Sequence, residues 1–224
     1  MKERPYILRA LWNASAGIDM KYIIFISMNF LLLYWNNAYA ATPEFCNSIA
    51  TADINRCADH LLNRSDKKLN DKYKELLTSL QPNLKEILIR SQKSWISYRD
   101  TTCQIYQPDS EGKYSDGSYA GNEAYAEKKH CETDITESRV IEIKTILNGG
   151  TNHPYNKSRK YIARKFYQDD VKKLNQELIN AARRNEHWVG YADESCKLNE
   201  FLFKEGTSSC LARLAFFDQP TTNN

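Results

Sequence analysis

The pattern Trp95-x-x-Tyr98-x-Asp100-x-x-Cys103 returns as Trp188-x-x-Tyr191-x-Asp193-x-x-Cys196, position for position at an offset of 93 residues. Four matched positions of unlike residue types are not expected by chance. Both copies are followed by a Gly-Ser or Gly-Thr pair (Gly117-Ser118, Gly206-Thr207), then a cysteine (Cys131, Cys210), then an arginine (Arg139, Arg213). The second copy is shorter throughout and carries Asn185 and Ala192 where the first has Gln92 and Arg99, so it reads as a degenerate repeat. A chain built this way is expected to fold as two related halves.

The cysteines narrow the choice further. All six (46, 57, 103, 131, 196 and 210) lie beyond a segment with the marks of an export signal, and no Cys-x-x-Cys occurs among them. In that segment Lys21 precedes an apolar run of fourteen residues, Tyr22 to Trp35, and then the small-x-small triplet Ala38-Tyr39-Ala40. The run is too short to span a bilayer, which takes about 20 residues, so no stable membrane insertion is expected. Residues 1–19 carry mixed charge and no pattern; they are expected to reflect a mis-assigned upstream start, with Met20 opening the product. Cleavage near Ala40 leaves a periplasmic or secreted chain of 184 residues, 41–224. An even cysteine count in an exported chain implies three disulfides rather than a zinc site. If the repeat holds, Cys196 pairs with Cys210, Cys103 with Cys131 by internal homology, and Cys46 is left with Cys57. That last bond requires Cys46 to precede a helix and fold back, because eleven helical residues would separate the pair by about 16 Å.

Composition excludes two classes. At 42% hydrophobic residues the chain can bury a core, against disorder. The mature chain carries 27 basic and 26 acidic side chains, a net charge of +1, against a dedicated nucleic-acid binder. Apolar spacing is helical. One stripe runs through Leu62, Leu69, Tyr73, Leu76 and Leu80, a second through Leu84, Leu88, Ser91, Trp95, Tyr98, Thr102 and Ile105, and a third through Ile135, Arg139, Ile143 and Ile146. The prolines of the mature chain fall between these segments, never inside one. The expected fold is all-α: a disulfide-stapled antiparallel helical bundle. Its organisation reads as a first helical domain over 41–148, a linker over 149–158, a second half over 159–219 and a flexible tail over 220–224.

Several ordered motifs carry a resemblance. Thr51-x-x-Ile54-Asn55-x-Cys57-Ala58, Leu69-Asn70-x-x-Tyr73, Gln92-x-x-Trp95-x-x-Tyr98-Arg99-Asp100-x-x-Cys103, Gly117-Ser118, and Cys131 with Thr136-x-x-Arg139 are similar to the lysozyme inhibitor LprI N-terminal-domain family over about residues 46–147. The resemblance implies an exported helical domain, inhibition of lysozyme in some members, and neither a cofactor nor a catalytic residue. Gln92, Arg99, Asp100 and Arg139 then read as a structural network that fixes helix register. Asn70, Trp95, Tyr98, Trp188, Tyr191 and Asp193 complete the structural motif set. The histidines His60, His130, His153 and His187 are scattered without ligand spacing, so no metal is expected.

Two segments invite a binding role. Residues 107–127 hold Tyr114, Tyr119 and Tyr125 among small polar residues, with five acids (Asp109, Glu111, Asp116, Glu123, Glu127) against Lys113, a local charge of −4. Tyrosines spaced by flexible residues are the composition of binding loops, and acidic loops steer toward basic partners, as animal lysozymes commonly are. Tyr114, Tyr119, Tyr125, Glu111 and Asp116 are therefore the candidate partner-binding residues. The second segment sets Lys157, Arg159, Lys160, Arg164 and Lys165 among Tyr161, Ile162, Phe166 and Tyr167; it fits an anionic lipid surface, the acidic loop of the same chain, or simply a solvated helix face. The expected function is a non-enzymatic envelope protein that binds a protein partner, a lysozyme or related muramidase, with a structural or adaptor module of the envelope as the alternative. Export is directly testable: mass spectrometry of the periplasmic fraction should find a mature chain beginning at Ala41, and a product retaining residues 20–40 would refute the cleavage.

Overall fold

In this computed structural model residues 42–150 and 154–218 are described, so the expected signal segment 1–40 and the tail 220–224 lie outside the described residues. Seven α-helices follow one another: α1 (Thr51–Ser79), α2 (Pro82–Cys103), α3 (Ala124–Leu147), α4 (Pro154–Phe166), α5 (Val171–Ala182), α6 (Glu186–Phe203) and α7 (Thr207–Asp218). Short 3-10 turns at Glu44–Asn47 and Gln104–Tyr106 complete the regular structure. The all-α bundle expected from the spacing is what the described residues form.

The apolar stripes explain the packing. Leu62, Leu69 and Leu76 turn inward from α1; Leu88, Trp95 and Tyr98 from α2; Ile135, Ile143 and Ile146 from α3. Helices α1 and α3 run the same way: Asp59 meets Tyr125 near their starts, and Ser65 meets Glu137 further along. Pro82 opens α2, where its missing N–H costs nothing. The side chains of Asp170 and Asn185 cap α5 and α6 by accepting from the Lys173 and Trp188 backbone amides. At the end of α3, Gly149 and Gly150 adopt positive φ, and a Cβ on Gly150 would sit 2.6 Å from the Phe203 ring. Helical structure resumes at Pro154, inside the stretch that sequence reads as a linker.

The repeat becomes a pairing of equivalents. Helices α2 and α6 lie antiparallel, since Ser91 meets Ser195 at 2.7 Å while Thr102 meets Asn185 at 3.2 Å. Midway between these contacts the repeated tyrosines, Tyr98 and Tyr191, stack at 5.7 Å with planes 10° apart. The repeated tryptophans Trp95 and Trp188 are both fully buried. They differ in one respect. The Trp188 indole donates to Asp218 at 2.9 Å, whereas among the described residues the Trp95 indole N–H has no acceptor.

The repeated arginines supply the polar part of this core. Arg139, 1% exposed, donates to Ser91 (2.9 Å), Ser195 (3.0 Å) and Gln92 (3.2 Å), and lies 5.2 Å from the Tyr191 ring. Arg213, 2% exposed, pairs with Glu142 and makes a two-pronged bond to Glu205 at 2.7 and 3.1 Å. Asn199 adds a 3.0 Å bond to Glu142. The register network is thus centred on the two arginines. The aspartates of the motif are not in it: Asp100 and Asp193 are both exposed, and Arg99 bonds Asp100 (2.9 Å) and Asp66 (3.1 Å) near the surface.

The disulfides are Cys46–Cys57, Cys103–Cys131 and Cys196–Cys210, with Cα separations of 5.0, 5.7 and 5.7 Å. Cys46 sits in the 3-10 turn ahead of α1, which resolves the distance problem of an eleven-residue helical spacing. Cys103 ends α2 and is tied to α3, while Cys196 ties α6 to α7.

Removing a buried cation from its acids leaves a desolvated charge, so Arg213→Met should lower the unfolding free energy by about 3–5 kcal/mol. Urea denaturation followed by circular dichroism measures this, and adding Glu142→Gln should restore part of the loss.

Candidate functional site

The disulfide between Cys103 and Cys131 fixes both ends of the segment that joins α2 to α3. Within residues 107–127, the stretch around Lys113–Tyr119 makes a short hairpin, and the last four residues already belong to α3. Lys113 and Tyr119 form an antiparallel bridge, with Tyr114 N–H donating to the Ser118 carbonyl at 2.8 Å. Its turn closes through Gly117, whose φ of +82° is a left-handed conformation that glycine adopts without steric cost. Asp109 organises the approach by accepting from the backbone amides of Glu111 (2.8 Å) and Lys113 (2.9 Å). Asp116 does the same for Ser118, accepting from its amide at 2.9 Å and its hydroxyl at 2.6 Å; these bonds hold the Asp116 carboxyl below the usual carboxylate range.

The three tyrosines divide by role. Tyr114 donates to Glu127 at 3.1 Å, across the base of the hairpin. Tyr125 donates to Asp59 of α1 at 2.7 Å, a bond that raises its phenol pKa. Both hydroxyls are therefore committed to carboxylates within the chain. Tyr119 stands apart: it is 75% exposed, with the Lys113 ammonium 5.4 Å from its ring, and among the described residues no hydrogen bond holds its hydroxyl. Glu111 and Asp116 are exposed on the same hairpin, Glu111 paired with Lys113 at 2.9 Å. Of the candidate residues, Glu111, Tyr114, Asp116 and Tyr119 share the hairpin, whereas Tyr125 lies in the first turn of α3.

The foot of the hairpin borders a polar recess of about 490 Å³, lined in part by Asp66, Arg99, Gln104, Gln107 and Lys128. Lys128 donates to Gln107 at 2.6 Å, joining the two ends of the loop across it. Arg99 is held by Asp66, Asp100 and the face of Trp95, 5.1 Å away. Its charges are internally matched, which suits a wall better than a catalytic pair. The other motif residues lie elsewhere: Gln92, Arg139, Trp188 and Tyr191 belong to the core seam between α2 and α6, and Asn70 is exposed on α1. Among the described residues no group of three or more His, Cys, Asp or Glu side chains is placed to hold a metal ion.

Sequence reasoning missed Asp59, Asp66 and Asp218. Asp59 and Asp66 are single acids on a helix rich in charge, and nothing local marks them as partners of Tyr125 and Arg99. Asp218 closes α7, accepts the Trp188 indole, and lies beside Tyr98 through its carbonyl at 3.5 Å. Burial pushes its carboxyl up to about 7, with the Trp188 hydrogen bond pulling the other way. Burial also raises the phenol pKa values of Tyr98 and Tyr191.

Comparison with known proteins bears on the first half of the chain. The family model described as "Lysozyme inhibitor LprI" matches residues 46–143. An uncharacterized protein of Rhizobium meliloti (strain 1021) is 23% identical over 129 residues, covering 52% of this chain and 87% of that protein. No solved structure matches.

The Asp218 carboxyl binds its proton more tightly folded than unfolded, where its pKa is near 3.8. Stability from this group is therefore lost as pH rises from about 4 towards 7, and the penalty is complete above 7. Asp218→Asn keeps an acceptor for Trp188 and removes the charge. Its melting temperature should exceed the parent's by roughly 4–8 °C at pH 8, and the gap should close towards pH 4.

Proposed function

We propose, from the match of residues 46–143 to the lysozyme inhibitor LprI family model, that this chain is a non-enzymatic, exported protein that binds a lysozyme or related muramidase and blocks its cleft with the loop 107–127 and its hairpin. The division into a family-like first half and a degenerate second half around residues 149–158 is part of the proposal. So is the assignment of roles within the hairpin. Tyr119 is the anchor, because a large exposed aromatic on a closed, hydrogen-bonded turn loses little entropy on binding. Tyr114 braces the hairpin against Glu127 of α3, and Tyr125 braces the start of α3 against Asp59 of α1. Glu111 and Asp116 face the basic rim of the partner and act on encounter.

The observation that carries this reading is the contrast among the tyrosines: two hydroxyls are satisfied by acids of the same chain, and the third ring stands 75% exposed at the strand opposite Lys113. Three disulfides fit an oxidising compartment outside the cytoplasm. Among the described residues no helix is long and apolar enough to cross a membrane.

The test is inhibition of cell-wall lysis by the purified chain. Tyr119→Ala should weaken inhibition by about 30-fold, the effect of losing a central aromatic worth over 2 kcal/mol, with an unchanged circular dichroism spectrum and melting point. Glu111→Lys with Asp116→Lys should slow association and flatten its salt dependence. If the parent at high micromolar concentration leaves animal and bacterial muramidases uninhibited, the adaptor reading takes over; if Tyr119→Ala inhibits as well as the parent, the site is elsewhere.

A further inference from the structure

Helix α4 presents two unlike faces. Tyr155 and Ala163 are fully buried, Tyr155 bonding Asn175 at 2.6 Å and lying 5.1 Å from the Phe216 ring. The opposite face leaves Lys160, Tyr161, Arg164 and Lys165 exposed, Tyr161 at 65%, and Phe166, 67% exposed, stands at the C-terminal end of the helix. Spacings of three and four residues put Tyr161, Arg164 and Lys165 side by side. The helix contains no acidic residue, and over residues 157–173 the sequence has seven bases (157, 159, 160, 164, 165, 172, 173) against Asp169 and Asp170.

Backbone bonds fix the turn that ends this helix. Tyr167 and Asp169 amides both return to the Ala163 carbonyl at 2.8 and 3.1 Å, and Asp170 donates to the Tyr167 carbonyl at 2.8 Å. Gln168 and Asp169 take left-handed φ values of 53° and 65° to make this turn, which leaves Phe166 at a corner beside the Lys165 ammonium, 5.2 Å from its ring. The acid closest to this face, Asp169, lies 3.6 Å from Arg164, and both side chains are mostly in water, so it screens the cationic field little.

We propose that this face of α4 docks on the surface of an anionic lipid bilayer. Cations at the level of the headgroups, with one tyrosine and one phenylalanine reaching the acyl boundary and no acid in the helix, is the chemistry of an interfacial anchor. A purely ionic partner would leave the exposed rings unexplained; a purely apolar one would leave the bases unexplained. Attachment is peripheral and reversible, since a short amphipathic face binds by summed weak terms. It does not depend on the hairpin's role.

The experiment is co-sedimentation of the exported chain, residues 41–224, with vesicles of phosphatidylcholine alone or mixed with phosphatidylglycerol, at low and high salt. Binding is expected to the mixed vesicles only, and to fall as salt rises. The variant Lys160→Glu, Arg164→Glu, Lys165→Glu should lower partitioning by about tenfold or more. The variant Tyr161→Ser, Phe166→Ser should also lower it severalfold while retaining its response to phosphatidylglycerol. Both change exposed side chains, and circular dichroism melts check that they fold. No sedimentation with mixed vesicles, equal binding to both vesicle types, or full binding by the charge variant would each overturn the proposal. Loss in the charge variant with full binding by the aromatic variant would overturn it too, pointing to a soluble polyanion rather than a bilayer.

Discussion

The buried guanidinium of Arg139 is the contact on which the arrangement of this bundle depends. A desolvated cation is tolerated only where its donors find acceptors, and Arg139 finds Gln92 and Ser91 on α2 and Ser195 on α6. The two serines also bond each other. Sliding α6 against α2 by one turn would separate these groups and strand the charge. Apolar stripes alone would accept several registers, because leucine and tyrosine pack against many neighbours. The arginine accepts far fewer. Arg213 plays a parallel part for the second half through Glu142 and Glu205; burial opposes its charge, but the two acids outweigh that and hold it more firmly protonated than usual.

That register in turn sets up the hairpin. With α2 and α3 fixed, Cys103 and Cys131 stand 5.7 Å apart and close the intervening chain. The acids and tyrosines of residues 107–127 are then no longer a flexible tract, since Asp109, Asp116 and Gly117 supply the turn and Tyr114 and Tyr125 fasten its flanks. A loop ordered before encounter loses less entropy when it binds. Stability of the core and readiness of the surface are linked through one disulfide.

The antiparallel contact of α2 with α6 gives the repeat a physical meaning. Tyr98 stacks on Tyr191, so equivalent residues meet each other, the arrangement expected across a two-fold interface. Helix α6 packs along α2, and α7 joins α6 to α3 and α5. The later helices are shorter, and Ala192 stands at the position equivalent to Arg99.

Much of this was legible in the sequence. Period and proline placement determined the helices, because amphipathic spacing and the missing proline N–H act locally and leave a local trace. The repeat determined which cysteines pair, since equivalent positions in equivalent halves must bond alike. Tertiary structure alone decided the rest. Asp100 belongs to the motif yet faces solvent, whereas Glu142, Ser195 and Asp218 belong to no obvious pattern and are central, because burial depends on which helices meet and not on neighbours in the chain. The tyrosines of the loop were indistinguishable by composition; the reach of Tyr114 to Glu127 and of Tyr125 to Asp59, 66 residues away, commits two hydroxyls and leaves Tyr119 as the more exposed ring. Composition fixes what a loop can offer, and long-range hydrogen bonds fix which of those groups remain available to a partner.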